Sequence, residues 1–167
     1  AEVLSQQGVR VVGFSSLSYF WQTRKPDDTA ADIARVIAHY AALQPDARFA
    51  IIGYSFGASL APIVVNRMPA AIQQKLSAQF MISPDPEAVF EIKVGDWFGN
   101  VHHDGTIPVG PEVAKSPIPV FCIHGSEEED TVCAQLDPHK TTVLSLPGGH
   151  HYDGDYAALG RLVAGKL

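Results

Sequence analysis

The apolar and polar positions along the chain alternate between two kinds of segment. Short, almost uninterrupted apolar runs bounded by Gly or Pro are typical of buried strands. Such runs occur near residues 48–54, 78–83, 118–124 and 140–146. Between and after them, longer segments with helical spacing begin at Pro26, near residue 56 and near residue 153. Strands alternating with helices predict a mostly parallel central sheet with helices on both faces, and so an α/β fold in a single domain, 1–167.

Two further segments have a less regular pattern. Gly8 is a good residue to end a helix, and the β-rich segment Val9–Phe14 after it predicts a strand. Residues 88–117 show no clear periodicity and contain His102 and His103. We expect these two histidines to be surface or lid residues, because no clear arrangement of carboxylates accompanies them to complete a metal site.

Composition excludes several classes of function. The chain carries 12 basic and 18 acidic residues, a net charge of −6, without a Lys/Arg cluster. Nucleic-acid binding therefore has no electrostatic basis. No apolar run approaches the roughly 20 residues that span a bilayer. We predict no metal and no cofactor, since the two isolated cysteines cannot form a structural zinc site.

The two cysteines leave two alternatives open. Cys122 and Cys133 could form a disulfide if the protein resides in an oxidising compartment. Alternatively, Cys122 is a buried free thiol in the strand near 118–124.

The most informative motif is Gly53-Tyr54-Ser55-Phe56-Gly57, which follows one predicted strand and precedes a helix. A strand, then Gly-x-Ser-x-Gly, then a helix is the context of a nucleophile elbow, in which a sharp turn exposes the serine. The two glycines are expected to give the turn its room. The backbone N–H of Phe56 is expected to point towards an oxyanion. The alternative is an ordinary structural turn, because Gly and Ser are common turn residues.

A serine nucleophile needs a base and an acid, and the chain offers both in the order that α/β hydrolases use. His150 follows the last predicted strand and is the expected base, with His151 as its rival. The loop 126–131 follows the preceding strand and contains four carboxylates. We predict Asp130 as the acid and Glu129 as the alternative, since both stand just before the loop returns to the core at Val132. The remaining carboxylates are expected to be solvated.

Five segments together resemble the bacterial virulence protein VirJ/AcvB family, and the resemblance covers most of the chain. They are Tyr19-Phe20-Trp21, Pro26–Tyr40, Gly53–Ala58, Gly125–Cys133 and Gly148–Tyr152. The resemblance implies a three-layer α/β-hydrolase fold and export to the periplasm. It also implies hydrolysis of aminoacylated phosphatidylglycerol, in which lysine or alanine is removed from the lipid headgroup.

The chain departs from this family at its start. Family members carry an upstream strand ending in a Gly-Asp-Gly-Gly-Trp loop, which would supply a second oxyanion donor. That loop is absent here, and we expect the chain to lack the N-terminal strands of the fold. An edge beside the nucleophile strand would then be exposed, and one missing oxyanion donor would lower the rate by about 10²- to 10³-fold.

These observations favour a periplasmic serine esterase acting on an aminoacyl ester, with Ser55, Asp130 and His150 as its triad. Tyr19, Phe20 and Trp21 either line the mouth of the site or pack in the core. The expected partners are a small-molecule or lipid-headgroup ester, a membrane surface touched peripherally, and secretion-system proteins. One alternative is a non-catalytic binding or assembly module of a secretion or virulence system. Another is a general carboxylesterase or thioesterase.

Overall fold

The structure is a computed structural model that describes residues 1–92 and 105–167. Its helices are α1 Glu2–Gln6, α2 Ser16–Tyr19, α3 Pro26–Leu43, α4 Phe56–Arg67, α5 Ala70–Gln73, α6 Val109–Val113 and α7 Tyr156–Ala164. Its strands are β1 Phe49–Tyr54, β2 Leu76–Ile82, β3 Glu87–Ala88, β4 Ile107–Pro108, β5 Val120–Gly125 and β6 Thr141–Leu146. Two 3-10 turns, Val132–Gln135 and Tyr152–Gly154, complete the described elements.

Four parallel strands form the central sheet in the order β1-β2-β5-β6. The register aligns the carboxyl ends of neighbouring strands, because Tyr54 pairs with Ile82, Ile82 with Ile123, and Gly125 with Leu146. The loops that follow β1, β2, β5 and β6 therefore meet at one edge of the sheet, which is where ligands bind in open α/β sheets. Strands β3 and β4 form a separate antiparallel ribbon.

Alternate residues of the strands supply two cores, one on each face of the sheet. On one face, Met81 and Cys122 pack with α3, α4 and α6. On the other face, Phe80 and Ile123 pack with α1 and α7. The three-layer architecture predicted from the sequence is therefore confirmed. No helix within residues 1–92 and 105–167 is long and apolar enough to cross a membrane.

Helix α3 begins where the sequence pattern predicted a helix, and its residues show the physical reasons. Pro26 occupies the first turn, where its missing N–H is not needed, and Asp27 and Asp28 complement the positive end of the helix dipole. Residues at helical spacing, including Ala34 and Ile37, bury one face of the helix. The predicted start at Pro26 is confirmed.

The predicted strand at Val9–Phe14 is wrong, and the segment has no regular secondary structure. A strand needs a neighbour for its backbone hydrogen bonds, and no described strand pairs with this segment. Val11, Val12 and Phe14 are all exposed. The short helix before Gly8 is confirmed, with Gly8 itself at a φ of +81°.

Candidate active site

Ser55 occupies the sharp turn between β1 and α4. Its φ of 52° lies in the left-handed region, which is strained for a residue with a side chain. The turn brings two backbone segments close together, so that a Cβ added at Gly53 would lie 2.3 Å from the carbonyl oxygen of Gly57. A Cβ added at Gly57 would meet nothing within 4 Å. Gly53 alone is therefore required by the packing of the turn, whereas both glycines were expected to be.

The loops after β5 and β6 cross in equally close contact. A Cβ added at Gly125 would lie 2.3 Å from the carbonyl oxygen of Gly149 and 2.4 Å from that of Gly148. The N–H of Ser126 donates to the carbonyl of Leu146 at 2.7 Å, and the N–H of Glu127 to Gly148 at 3.0 Å. These contacts join the loop after β5 (residues 126–131, here the acid loop) to the loop after β6 (residues 147–151, here the histidine loop). They do so through backbone atoms alone.

Three side chains from these loops form one continuous hydrogen-bonded chain. The Nε2 atom of His150 lies 2.9 Å from Oγ of Ser55. The Nδ1 atom of the same ring lies 2.7 Å from Oε1 of Glu128. This is the arrangement of nucleophile, base and orienting carboxylate, in the chain order Ser, acid, His. The structure thus brings Ser55 and His150 together as the sequence predicted.

The carboxylate that contacts His150 is Glu128. The prediction that Asp130, or alternatively Glu129, contacts this histidine is wrong. Glu128 sits in a tight turn in which its own N–H donates to the carbonyl of Gly125 at 3.1 Å. The turn directs its side chain back over the end of β5, where the side chain is only 12% exposed. Glu129 and Asp130 lie on the exposed part of the loop.

Several donors hold the Glu128 carboxylate. Its Oε2 atom accepts from the N–H of Gly125 and from the hydroxyl of Ser83, each at 2.8 Å. Burial raises the pKa of Glu128, but these two donors and His150 together outweigh burial and hold that pKa below its ordinary value. Glu128 therefore remains an ionised acceptor for His150 across the neutral range.

The sequence of this chain matches a known protein family over its whole length. The family described as bacterial virulence protein (VirJ) matches residues 1–167. The chain belongs to the VirJ family. No curated protein matches its sequence.

Solved structures similar to this VirJ-family chain are α/β hydrolases. A putative hydrolase of the α/β superfamily from Xanthomonas campestris pv. campestris is 17% identical, with a TM-score of 0.59 over 100% of this chain and 86% of that one. Est1E from Butyrivibrio proteoclasticus, solved with ferulic acid, is 18% identical, with a TM-score of 0.55 over 81% and 64%. The thioesterase domain from the curacin biosynthetic pathway is 15% identical, with a TM-score of 0.53 over 80% and 71%. At these identities the likeness establishes the α/β-hydrolase fold.

His151, the rival base, does not contact Ser55 in the VirJ-family chain. Its Nδ1 atom lies 3.0 Å from the hydroxyl of Tyr54 and 3.3 Å from that of Tyr156. Tyr54 also donates to the backbone carbonyl of His150 at 2.8 Å. The residue before the nucleophile thus ties the histidine loop to β1.

The amide of Phe56 is available as an oxyanion donor. As the first residue of α4, Phe56 has no intrahelical acceptor for its N–H. Its ring packs edge-on against Phe20, with centroids 5.2 Å apart. Phe20 is buried in the core, and Trp21 is 55% exposed. Tyr19 donates to Asp32 at 2.5 Å, and its ring packs edge-on against Phe20 with centroids 4.8 Å apart.

A cleft of about 470 Å³ adjoins His150. Its walls are Pro84, Asp85, Glu127, Glu128, Glu129, Asp130 and His150. Asp85 is exposed at the surface of the cleft, yet desolvation by the surrounding protein raises its pKa. The charge of His150 and a hydrogen bond from Ser59 lower that pKa but do not outweigh desolvation. A larger cavity of about 580 Å³, between α6 and the ribbon, contains none of Ser55, His150 and Glu128.

Cys122 and Cys133 are joined by a disulfide with a Cα–Cα distance of 5.6 Å. The free-thiol alternative for Cys122 is therefore wrong. The bond ties β5 to the 3-10 turn that follows the acid loop, so that the loop is bounded by a covalent link.

His102 and His103 lie outside the described residues, and within those residues no group of three His, Cys, Asp or Glu side chains is placed to hold a metal.

Proposed function

We propose that this VirJ-family chain is a serine hydrolase that cleaves carboxylic esters. The observation that carries the proposal is the unbroken chain of hydrogen bonds from Ser55 through His150 to Glu128. A serine hydroxyl is a weak nucleophile until a base removes its proton, and histidine can do so near neutral pH. A binding module on the same fold has no need for these three groups in contact.

In the first step, Ser55 Oγ attacks the ester carbonyl while His150 Nε2 takes its proton. Glu128 accepts a hydrogen bond from His150 Nδ1–H, which selects the tautomer with a free Nε2 and stabilises the imidazolium as it forms. The Phe56 N–H donates to the oxyanion of the tetrahedral intermediate. His150 then returns the proton to the leaving alcohol, and an acyl-enzyme on Ser55 remains.

In the second step, water replaces the alcohol. His150 takes a proton from this water as it attacks the acyl carbonyl. Collapse of the second intermediate returns the proton to Ser55 and releases the carboxylic acid. One carboxylate and one imidazole therefore serve both halves of the reaction.

We propose the ester of an aminoacylated phosphatidylglycerol as the substrate and the periplasm as the location. The acidic cleft beside His150 supports this choice, because an aminoacyl ester carries a protonated amine near the scissile carbonyl. Asp85, Glu127, Glu129 and Asp130 are carboxylates of this cleft outside the triad. The disulfide fits an oxidising compartment. Peripheral contact with the lipid headgroup, and contact with secretion-system proteins, belong to the same proposal.

Active-site labelling tests the reaction class. We expect a fluorophosphonate to add covalently to wild type at Ser55 and to leave Ser55→Ala unlabelled, by mass spectrometry of the digested protein. Ser77→Ala changes a serine at the amino end of β2. It is the matched control and should label like wild type. An unlabelled wild-type chain that is fully folded would favour the binding-module alternative.

Paired substrates test the choice of ester. We expect kcat/KM to be higher for lysyl-phosphatidylglycerol than for its N-acetylated form, because acetylation removes the positive charge. The preference should weaken as salt rises, since exposed charges are screened over about 8 Å at physiological ionic strength. Equal rates for the two lipids at low salt would leave a general esterase.

A further inference from the structure

The Oε2 atom of Glu128 faces away from His150 and is held by a buried network that the proposed reaction does not use. The hydroxyl of Ser83 donates to Oε2 at 2.8 Å. The hydroxyl of Tyr152 lies 2.7 Å from Oγ of Ser83. Ser83 and Tyr152 are 1% and 2% exposed, so water has little access to either hydroxyl.

The direction of these hydrogen bonds follows from the number of protons. An ionised carboxylate only accepts, so the single proton of the Ser83 hydroxyl points at Glu128. Oγ of Ser83 then accepts from the hydroxyl of Tyr152, which also lies 3.2 Å from the carbonyl oxygen of Ile123, a longer contact than the one of 2.7 Å to Ser83. Burial is the main cause that raises the pKa of Tyr152, to about 12, so this phenol keeps its proton and remains a donor. The network runs from Tyr152 through Ser83 to Glu128.

The backbone at Ser83 is also unusual. Its φ of 50° lies in the left-handed region, where glycine is the favoured residue. Its N–H donates to the carbonyl of Ile123 at 2.8 Å, which fixes the residue between the ends of β2 and β5. A serine kept in a conformation that suits glycine indicates that the hydroxyl has a use.

We propose that Ser83 is a positioning residue that holds the Glu128 carboxylate in the orientation in which Oε1 accepts from His150. Tyr152 assists by fixing the Ser83 hydroxyl. The inference rests on the proposed function and adds to it the residue that directly follows β2, the strand between β1 and β5. Without the hydroxyl, Oε2 keeps only the Gly125 N–H and the carboxylate is free to turn away from His150.

The kinetic test replaces Ser83 by glycine, which suits the backbone and removes the hydroxymethyl side chain. We expect kcat of Ser83→Gly to fall by about tenfold to a hundredfold, the value of one hydrogen bond to a charged group, with KM unchanged. The midpoint of urea unfolding should stay the same or rise, because the strained φ is relieved. Ser77→Ala, at the amino end of β2, should leave kcat unchanged. An unchanged kcat in Ser83→Gly would overturn the proposal.

A second measurement does not depend on catalysis. The side-chain carboxyl of Glu128 is followed by ¹³C NMR as pH is lowered. We expect Glu128 to titrate at higher pH in Ser83→Gly than in wild type, because the lost donor stabilised the ionised form. Ser77→Ala should titrate like wild type. Equal titration in wild type and Ser83→Gly would refute the role of Ser83 even if no ester is ever hydrolysed, whereas an inactive wild type with a shifted titration would refute only the proposed function.

Tyr152→Phe completes the test by leaving Ser83 in place. We expect the Glu128 titration to move in the same direction but less far, since the Ser83 hydroxyl keeps its contact and loses only its orientation. A larger shift in Tyr152→Phe than in Ser83→Gly would contradict the order of the network.

Discussion

The two halves of the site are built in different ways. The half that carries His150 and Glu128 lies between β5 and β6, where backbone crossings, a disulfide and buried hydroxyls fix both loops. The half that carries Ser55 lies at the end of β1, an edge strand of the described sheet, and depends on one strained turn. The position of Ser55 therefore depends on the backbone of a single turn, whereas the positions of His150 and Glu128 depend on contacts between two loops.

The edge position of β1 also differs from what its sequence suggests. Its residues Phe49 to Ile52 are apolar on both faces, which is typical of a strand covered on both sides. In the structure Ile52 is 40% exposed, while Ile123 in the inner strand β5 is fully buried. Two changes within the half that carries His150 and Glu128, and two pairs of changes that place one variant in each half, test this difference.

The largest effect is expected at the carboxylate. Glu128→Gln should lower kcat on a neutral p-nitrophenyl ester by about 10³- to 10⁴-fold, because the amide can donate to Nδ1 and favours the wrong tautomer of His150. Asp130→Asn, its exposed neighbour, should change kcat by no more than about twofold. Steady-state kinetics of the two variants decide between them. The opposite ranking would return the role to Asp130.

Removal of the disulfide should affect stability more than rate. The paired change Cys122→Ser and Cys133→Ser should lower the free energy of unfolding by about 2–3 kcal/mol, the chain-entropy value for a ring of this length. The backbone bonds from Ser126 and Glu127 still hold the acid loop, so kcat should fall only slightly. Urea unfolding and kinetics on the same samples measure both. A loss of kcat as large as that of Glu128→Gln would show that the covalent bond alone fixes the loop.

The close backbone crossing gives the third contrast. Gly125→Ala should lower the free energy of unfolding by about 1–3 kcal/mol, since the new methyl group meets the carbonyls of Gly148 and Gly149. Gly57→Ala, in the nucleophile turn, should be tolerated because its Cβ has open space around it. Thermal unfolding of both variants provides the comparison. Equal destabilisation would remove the distinction drawn between the two glycines.

The smallest effect concerns the sheet itself. Ile123→Val removes a buried methylene group and should lower the free energy of unfolding by about 0.5–1.5 kcal/mol. Ile52→Val, at the exposed edge, should change it by no more than about 0.5 kcal/mol. Chemical denaturation resolves the pair. If Ile52→Val proved as costly as Ile123→Val, the edge of β1 would be covered in solution.

The sequence predicted the fold and two of the three residues that form the hydrogen-bonded chain, because their signals are local. Ser55 is marked by the strand, turn and helix around it, and His150 by its place after the last strand. Both depend on the order of elements along the chain. The helical spacing of apolar residues in α3 is also a local signal, and it predicted that helix.

The acid could not be chosen from the sequence, because four carboxylates stand close together in one loop. Which of them reaches His150 depends on a turn closed by the bond from Glu128 N–H to Gly125, and on a side chain one methylene longer than that of Asp130. The signal that was available is the spacing of three residues from Gly125, which is typical of a tight turn. The wrong strand at Val9–Phe14 has a different cause, since its composition favours a strand but its backbone lacks a partner.

The bond between Cys122 and Cys133 also determines what a cut in the acid loop would do. Ser126, Glu127, Glu129 and Asp130 are exposed and lie within the ring that this bond closes, so a protease that nicks the chain there would not separate the two pieces. The nicked chain would migrate as one species without reductant and as two with it. Ser55 would lie on one piece and His150 on the other, and the two pieces would stay joined by the single bond between Cys122 and Cys133.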